Sequence, residues 1–301
     1  MGCSNVKKDM PEIPLPPHQV HRMEDGRRVG YVIYGDPNGV AILNCHGGLL
    51  SRNDVAPVHA EAVALGARII SIDRPGVALS DRNPGHAMSD WAADDVVSVL
   101  GHLKVERFSV MGWSLGGQYA LAVASVLSER VERVGILAGC PPLNDPERLS
   151  QLNRMDRRFA ALSVHRAWLA RAAFTALHGA ARYTPRVATR LSLAGVPAHE
   201  AAAVRAQGDW FARTMEEGVR NSAGVCDEYL AMVSPWGFDP STIQVPVDVH
   251  QGSADKLVPE SWGRDLVTIL GNATLRLHPG DGHMIGLTKR AEVVASLLPS
   301  T

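Results

Sequence analysis

Gly112-Trp113-Ser114-Leu115-Gly116-Gly117 is the stretch of this chain best suited to covalent chemistry. A strand-like run, Arg107 to Met111, precedes it, and a helix of small apolar residues, Tyr119 through Leu127, follows. In that setting a G-x-S-x-G segment puts its serine on a sharp strand-to-helix turn. The glycines answer a steric demand, because bulky neighbours clash where the chain reverses within a few residues. The hydroxyl then stands clear of the sheet, and the positive helix end favours an oxyanion developing beside it. Such a serine can attack an acyl carbon.

Serine alone is a weak nucleophile and needs a base within hydrogen-bond reach. Twelve histidines compete. His283, in Pro279-Gly280-Asp281-Gly282-His283, lies just beyond the last strand-like run, and the glycines let its loop fold over the sheet's carboxyl edge. That edge is where α/β sheets present their ligands. His278, at the edge of the same run, is the rival, while His102 and His250 fit packed or surface roles. The acid predicted to orient the imidazole is Asp255, directly after the run Val245 to His250 and between serine and histidine in chain order. Asp248 sits inside the strand, and Asp281 is too near His283 in sequence to approach its ring. The carboxylate would fix the imidazole tautomer and stabilise the imidazolium without taking the proton.

The elements that must carry these residues alternate along the chain. Two strand-like runs between Val20 and Tyr34 flank Asp25-Gly26, a hairpin signal. Short apolar runs follow at Val40 to Asn44, Arg68 to Ile72, Arg107 to Met111, Val134 to Leu137, Val245 to His250 and Thr274 to Leu277. Most are continuously apolar, as expected of a parallel sheet covered on both faces. Between them, Ser89 is predicted to cap an amphipathic helix with Asp90 and Asp94 near its start and a stripe of Val96, Val99, Leu100 and Leu103. Leu287, Ala291, Val294 and Leu298 mark a last helix. The predicted fold is α/β: a mostly parallel, doubly wound sheet with an N-terminal antiparallel hairpin.

Residues 141–240 break the rhythm with Ala-, Leu- and Arg-rich helical text, predicting a helical cap inserted between two strands of the core, 19–140 and 241–301. Its first part holds Arg148, Arg154, Arg157, Arg158, Arg166, Arg171, Arg182, Arg186 and Arg190, against Asp145, Glu147, Asp156 and Glu200. Solvated helix faces explain such a run; attraction of an acidic substrate is the sharper reading. Residues 1–18 read as a mobile arm, and Val6 stands where a myristoylation signal wants Ser or Thr.

Thirty basic against 31 acidic residues give no field that would draw the chain to nucleic acid or an anionic membrane. No run is long enough to span a bilayer. Cys3, Cys45, Cys140 and Cys226 have no metal-ligand or redox spacing, so a reduced, cytoplasmic protein without metal or cofactor is expected. A monomer or homodimer is the expected state.

Cys45-His46-Gly47-Gly48-Leu49, after the run Val40 to Asn44, completes a pattern that resembles the α/β-hydrolase superfamily, over about residues 28–140 and 240–298. The resemblance implies that the His-Gly loop supplies one oxyanion amide, Gly48 or Leu49, and that Leu115 supplies the other. It makes His46 a structural brace, and Asp73-Arg74-Pro75-Gly76 with Ser80-Asp81 a pocket wall with no catalytic role. Leu49 is expected to line the substrate site, and Trp113, beside the nucleophile, either lines it too or packs beneath the elbow.

Within the superfamily the chain is most similar to capped serine hydrolases of the proline-iminopeptidase-like and epoxide-hydrolase-like groups. It departs from both: Ser114 stands where epoxide hydrolases place Asp, and Leu49-Leu50 where iminopeptidases continue with Pro-Gly. The expected activity is hydrolysis of a small or medium acyl ester. Amide, N-terminal proline, thioester, carbon–carbon and perhydrolytic acyl transfer remain open beside it. A ligand receptor with little turnover is the reading from another class.

Overall fold

The computed structural model describes residues 16–299. Residues 1–15 of the expected N-terminal arm, with Cys3, lie outside the described residues. The apolar runs become strands β1 (Gln19–Arg22), β2 (Arg28–Gly35), β3 (Val40–Cys45), β4 (Ala67–Ile72), β5 (Phe108–Trp113), β6 (Val131–Leu137), β7 (Val247–Gly252) and β8 (Ala273–His278). They form one eight-stranded sheet in the order β1-β2-β4-β3-β5-β6-β7-β8. β1 and β2 make the predicted hairpin, β2 meets β4 antiparallel, and every later pairing is parallel. All six residues of β5 are buried, because helices cover both faces there. β8, at the edge, is only partly covered and alternates. β7 starts two residues later than the apolar run suggests, since Val245 precedes Pro246, whose carbonyl accepts the Val134 N–H at 3.0 Å.

The register lines up the strand ends that matter. Cys45 pairs with Gly112, Trp113 with Leu137, Leu137 with His250, and Gly252 with His278. The loops after β3, β5, β7 and β8 therefore leave from one rim. After β3 the chain runs to β4 on one side and then crosses back to β5 on the other, so the crevice between the β3 and β5 ends is the switch point where such sheets bind ligands.

Around the sheet lie α1 (His59–Ala64), α2 (Met88–Trp91), α3 (Val97–His102) and α4 (Leu115–Val126). A single π turn, Ala92–Val96, joins α2 to α3 and places Asp95 inside, with Arg27 Nη2 at 2.8 Å. Ser89 does not cap this helix. Ala87 occupies the cap, and the Asp90 carboxylate accepts its N–H at 2.8 Å, so Ser89 falls within the first turn. The predicted stripe holds, with Val96, Val99 and Leu100 fully buried.

Between β6 and β7 come α5 (Pro146–Gln151), α6 (Arg154–His165), α7 (Ala167–Tyr183), α8 (Pro185–Ser192), α9 (Ala198–Ala206), α10 (Trp210–Gly218) and α11 (Ser222–Val233), with no strand among the described residues. Of the nine arginines only Arg148 is half-buried; the others are exposed. α10 docks beside the β3 loop, where Glu217 accepts from Ser51 Oγ at 2.7 Å and Asn53 Nδ2 at 2.8 Å, and Trp210 Nε1 donates to the Asn53 carbonyl at 2.8 Å. After β7 come α12 (Glu260–Ile269), α13 (Ile285–Thr288) and α14 (Arg290–Ser296). Cys45, Cys140 and Cys226 are buried free thiols. No helix among the described residues is long and apolar enough to cross a membrane.

Candidate active site

Ser114 sits between β5 and α4 at φ 55° and ψ −124°, a conformation a side-chain-bearing residue avoids at a cost of about 1–3 kcal/mol. Surrounding bonds hold it there. Its N–H donates to the Leu137 carbonyl at 2.8 Å, and its own carbonyl accepts the Gly117 N–H at 2.8 Å. The flanking glycines are obligatory for a visible reason. A Cβ on Gly116 would overlap the Cys45 carbonyl, and one on Gly112 would overlap the Gly116 carbonyl. Gly116→Ala is expected to destabilise the fold by at least about 2–3 kcal/mol, read from the midpoint of urea unfolding.

The predicted base and acid meet. The His283 Nδ1–H donates to Asp255 Oδ2 at 2.9 Å, while Asp255 Oδ1 accepts the N–H groups of Leu257 at 2.8 Å and Val258 at 2.9 Å. This leaves Nε2 of His283 without a hydrogen-bond partner among the described residues, available to a hydroxyl; Ser114 Oγ forms no hydrogen bond to it in this structure. Burial alone would lower the basicity of His283. The adjacent Asp255 carboxylate, with Asp156 and Glu200 further off, outweighs burial and holds the imidazole above its ordinary value.

The rivals are engaged elsewhere. His278 Nε2 meets His250 Nδ1 at 3.1 Å, their rings stacked. Asp248 pairs with Arg276 at 2.8 Å, and Asp281 with His199 at 2.7 Å.

Of the two places open to Trp113, the structure gives it the one beneath the elbow rather than the one lining the substrate site. It is 2% exposed and lies beneath the elbow, its indole N–H donating to the His283 carbonyl at 2.9 Å. Its ring is packed against Gly286 and under the Arg290 guanidinium. Adjacent residues of a strand point to opposite faces, so raising Ser114 sends Trp113 down. Trp113 thereby ties the His283 loop to the strand that leads into Ser114.

Gly48 approaches Leu115 closely enough that a Cβ on the glycine would stand 3.5 Å from the leucine Cβ. Neither the Gly48 nor the Leu115 amide donates to a protein group among the described residues. Leu49, next along, adopts φ 60°, which bends the loop away, and its side chain is half-buried against the core. His46 braces this loop as expected: its Nδ1–H donates to the Gly47 carbonyl at 2.9 Å and its Nε2 accepts the Arg74 N–H at 3.2 Å. Burial, with the Arg74 guanidinium, keeps that ring neutral, its pKa well below the ordinary histidine value.

Arg74 does more than shape a wall. Its guanidinium donates to the carbonyls of His46 and Gly47 and to Glu228 Oε1 on α11, at 2.5 Å for the last. On the other side the Asp54 carboxylate accepts the Gly47 N–H at 3.1 Å and is met by Asn44 Nδ2 and by Arg290. Both sides of the Gly47 peptide are thus fixed by buried charges. Arg74→Met would strand Glu228, which is 2% exposed, as an unpaired buried carboxylate. Its expected cost is about 3–5 kcal/mol of stability, measurable by chemical denaturation.

A family model described as the alpha/beta hydrolase fold matches residues 40–289. The chain is an α/β hydrolase. Its sequence is 28% identical over 270 residues to the non-heme chloroperoxidase of Streptomyces lividans, covering 86% of this chain and 90% of that protein. Among solved structures it resembles the bromoperoxidase of Bacillus anthracis, with TM-score 0.71 and 17% identity over 93% of this chain and 98% of that one. It also resembles the enol-lactonase of Burkholderia xenovorans LB400, with TM-score 0.68 and 17% identity over 92% and 97%. At these identities the two structures speak for the shared fold.

The hydrolase's inserted helices reach the His283 loop as well. The Glu200 carboxylate, on α9, accepts the N–H groups of Gly282 at 3.0 Å and Met284 at 3.3 Å, the residues on either side of His283. His199, Glu200 and Asp281 bring three potential ligand atoms within 4.8 Å of one another. Each already has a protein partner: His199 holds Asp281, and Glu200 holds the two amides. In the sequence Glu200 reads only as counter-charge to the arginines, and nothing there marks Asp54, Arg74 or Arg290 as braces of this site. The one available signal was an acid alone in the alanine-rich helix text after Pro197.

Proposed function

We propose that this α/β hydrolase is a serine carboxylester hydrolase acting on small or medium acyl esters through an acyl-enzyme. The observation that carries the reading is the His283–Asp255 hydrogen bond, formed on a loop that Trp113 fastens beneath a serine held at positive φ. Ser114 Oγ forms a bond to the ester carbonyl carbon as its proton passes to His283 Nε2. The oxyanion rests on the Gly48 and Leu115 amides, each worth about 3–4 kcal/mol of transition-state stabilisation. Collapse breaks the bond to the alcohol, which leaves with the proton from His283. Water, deprotonated by the same nitrogen, then attacks the acyl-enzyme; collapse releases the acid and returns the proton to Ser114. Leu49 and Leu115 flank the amides and offer an apolar wall for the acyl group. The seven inserted helices act as the cap, and the buried free cysteines suit the reducing cytoplasm.

A fluorophosphonate probe tests this directly. Intact-mass analysis is expected to find one adduct, located on Ser114, alongside turnover of p-nitrophenyl acetate. No adduct, or turnover no faster than background, would leave a binding protein on a hydrolase fold. The likeness to the chloroperoxidase favours one second reading: hydrogen peroxide replacing water at the acyl-enzyme, giving a peracid. Adding peroxide to an ester assay and measuring peracid separates the two.

A further inference from the structure

Glu200 is fully buried, yet among the described residues it forms no ion pair with Lys, Arg or His. Burying a carboxylate without a cation is expensive, and its oxygens find only the two backbone amides of Gly282 and Met284. The loop is shaped around it. A Cβ on Gly282 would stand 2.6 Å from Pro197 Cδ and 2.8 Å from Glu200 Oε2, so only glycine lets the start of α9 press this closely. His199, the neighbour of Glu200, holds Asp281 of the same loop at 2.7 Å.

We propose that Glu200 is a positioning residue: its carboxylate fixes the imidazole of His283 by gripping the amides on both sides, and its charge supports the imidazolium formed in each half of the reaction. The inserted helices thus take part in the chemistry without touching the reacting atoms. The inference rests on the reading of His283 as general base.

The groups facing this imidazole come from several elements. Asp255 approaches from the loop after β7, Asp156 from α6 and Glu200 from α9; Trp113 lies below, with Arg290 beyond it. Asp281, His199 and Lys289 stand around Glu200 and the outer side of the loop. Asp156 is itself held by Tyr229 and Asn153, and Asp255 by two amides, so Glu200 is the carboxylate whose grip falls on the backbone amides flanking His283.

The test compares Glu200→Gln, Glu200→Asp and Glu200→Ala with wild type, using p-nitrophenyl acetate kinetics and NMR titration of the His283 ring, with circular dichroism confirming folding. Glutamine fills the same space but can accept only one amide and must turn its own NH2 toward the other. Its kcat is expected to fall about tenfold with KM within about threefold, and alanine's on the order of a hundredfold. In Glu200→Gln the acid limb of kcat/KM and the ring titration both move to lower pH. Glu200→Asp keeps the charge and restores the position of the limb.

A folded Glu200→Gln enzyme with unchanged kcat overturns the proposal. So does a kcat loss with the ring titration unmoved, since a merely structural role predicts that result. If wild type hydrolyses no ester at all, the esterase reading fails on its own, and the ring titration, which needs no turnover, still decides the role of Glu200.

Discussion

Ser114→Ala is expected to cut kcat for p-nitrophenyl acetate by ~10⁵–10⁶-fold, the largest effect of any single change in this chain. Alanine keeps the Cβ, so the elbow loses only its hydroxyl. Gly48, Leu115 and the His283–Asp255 pair remain, and the residual rate should still exceed that of water by about 10³–10⁴-fold through oriented binding and the oxyanion amides. KM should change little, because the hydroxyl contributes to bond formation rather than to holding the ester. The measurement is steady-state turnover with an active-site titration to exclude wild-type contamination. Retention of more than about one per cent of wild-type kcat would show that another residue performs the attack.

Asp255→Asn is expected to lower kcat by about 10⁴-fold, for a reason specific to this site. Asp255 Oδ1 is fixed by the amides of Leu257 and Val258, so the asparagine carbonyl must take that place. Its NH2 then faces His283 Nδ1. The imidazole is forced to carry its proton on Nε2, where it can no longer accept one from Ser114. The acid limb should move too. With His283 as the proposed base, working only while neutral, wild-type activity is expected to fall as pH drops through a pKa held above the ordinary histidine value by Asp255 against the pull of burial. Removing the carboxylate leaves burial dominant and carries the limb to lower pH. A pH profile of kcat/KM reads both effects. A limb at the wild-type position with a lowered plateau would assign the base's pKa to other neighbours.

Asp255 and His283 were legible in the sequence because each stands just past an apolar run, where a parallel sheet releases its loops. Ser114 was legible because glycines on both sides of a serine have few reasons to sit between a strand and a helix. The inserted helices announced themselves by the loss of strand text after Leu137. What resisted was side-chain direction and long-range contact. Adjacency to Ser114 leaves Trp113 free to line the pocket or to pack below, and only strand alternation, seen in the fold, turns it beneath. Ser89 looked like a helix cap until Asp90, one residue on, took the Ala87 amide. Arg74 and Glu200 act on partners distant in sequence, Glu228 and the His283 loop. Nothing in local periodicity encodes such pairings, since they arise only when the inserted helices fold down on the core.

Glu200, Glu217 and Glu228 stand on α9, α10 and α11, and each fastens the inserted helices to a different loop of the rim. A door swinging as one piece would tear out all three at once and leave amides, hydroxyls and a guanidinium unsatisfied. α6 to α8 carry none of these rivets, and their arginines already face water.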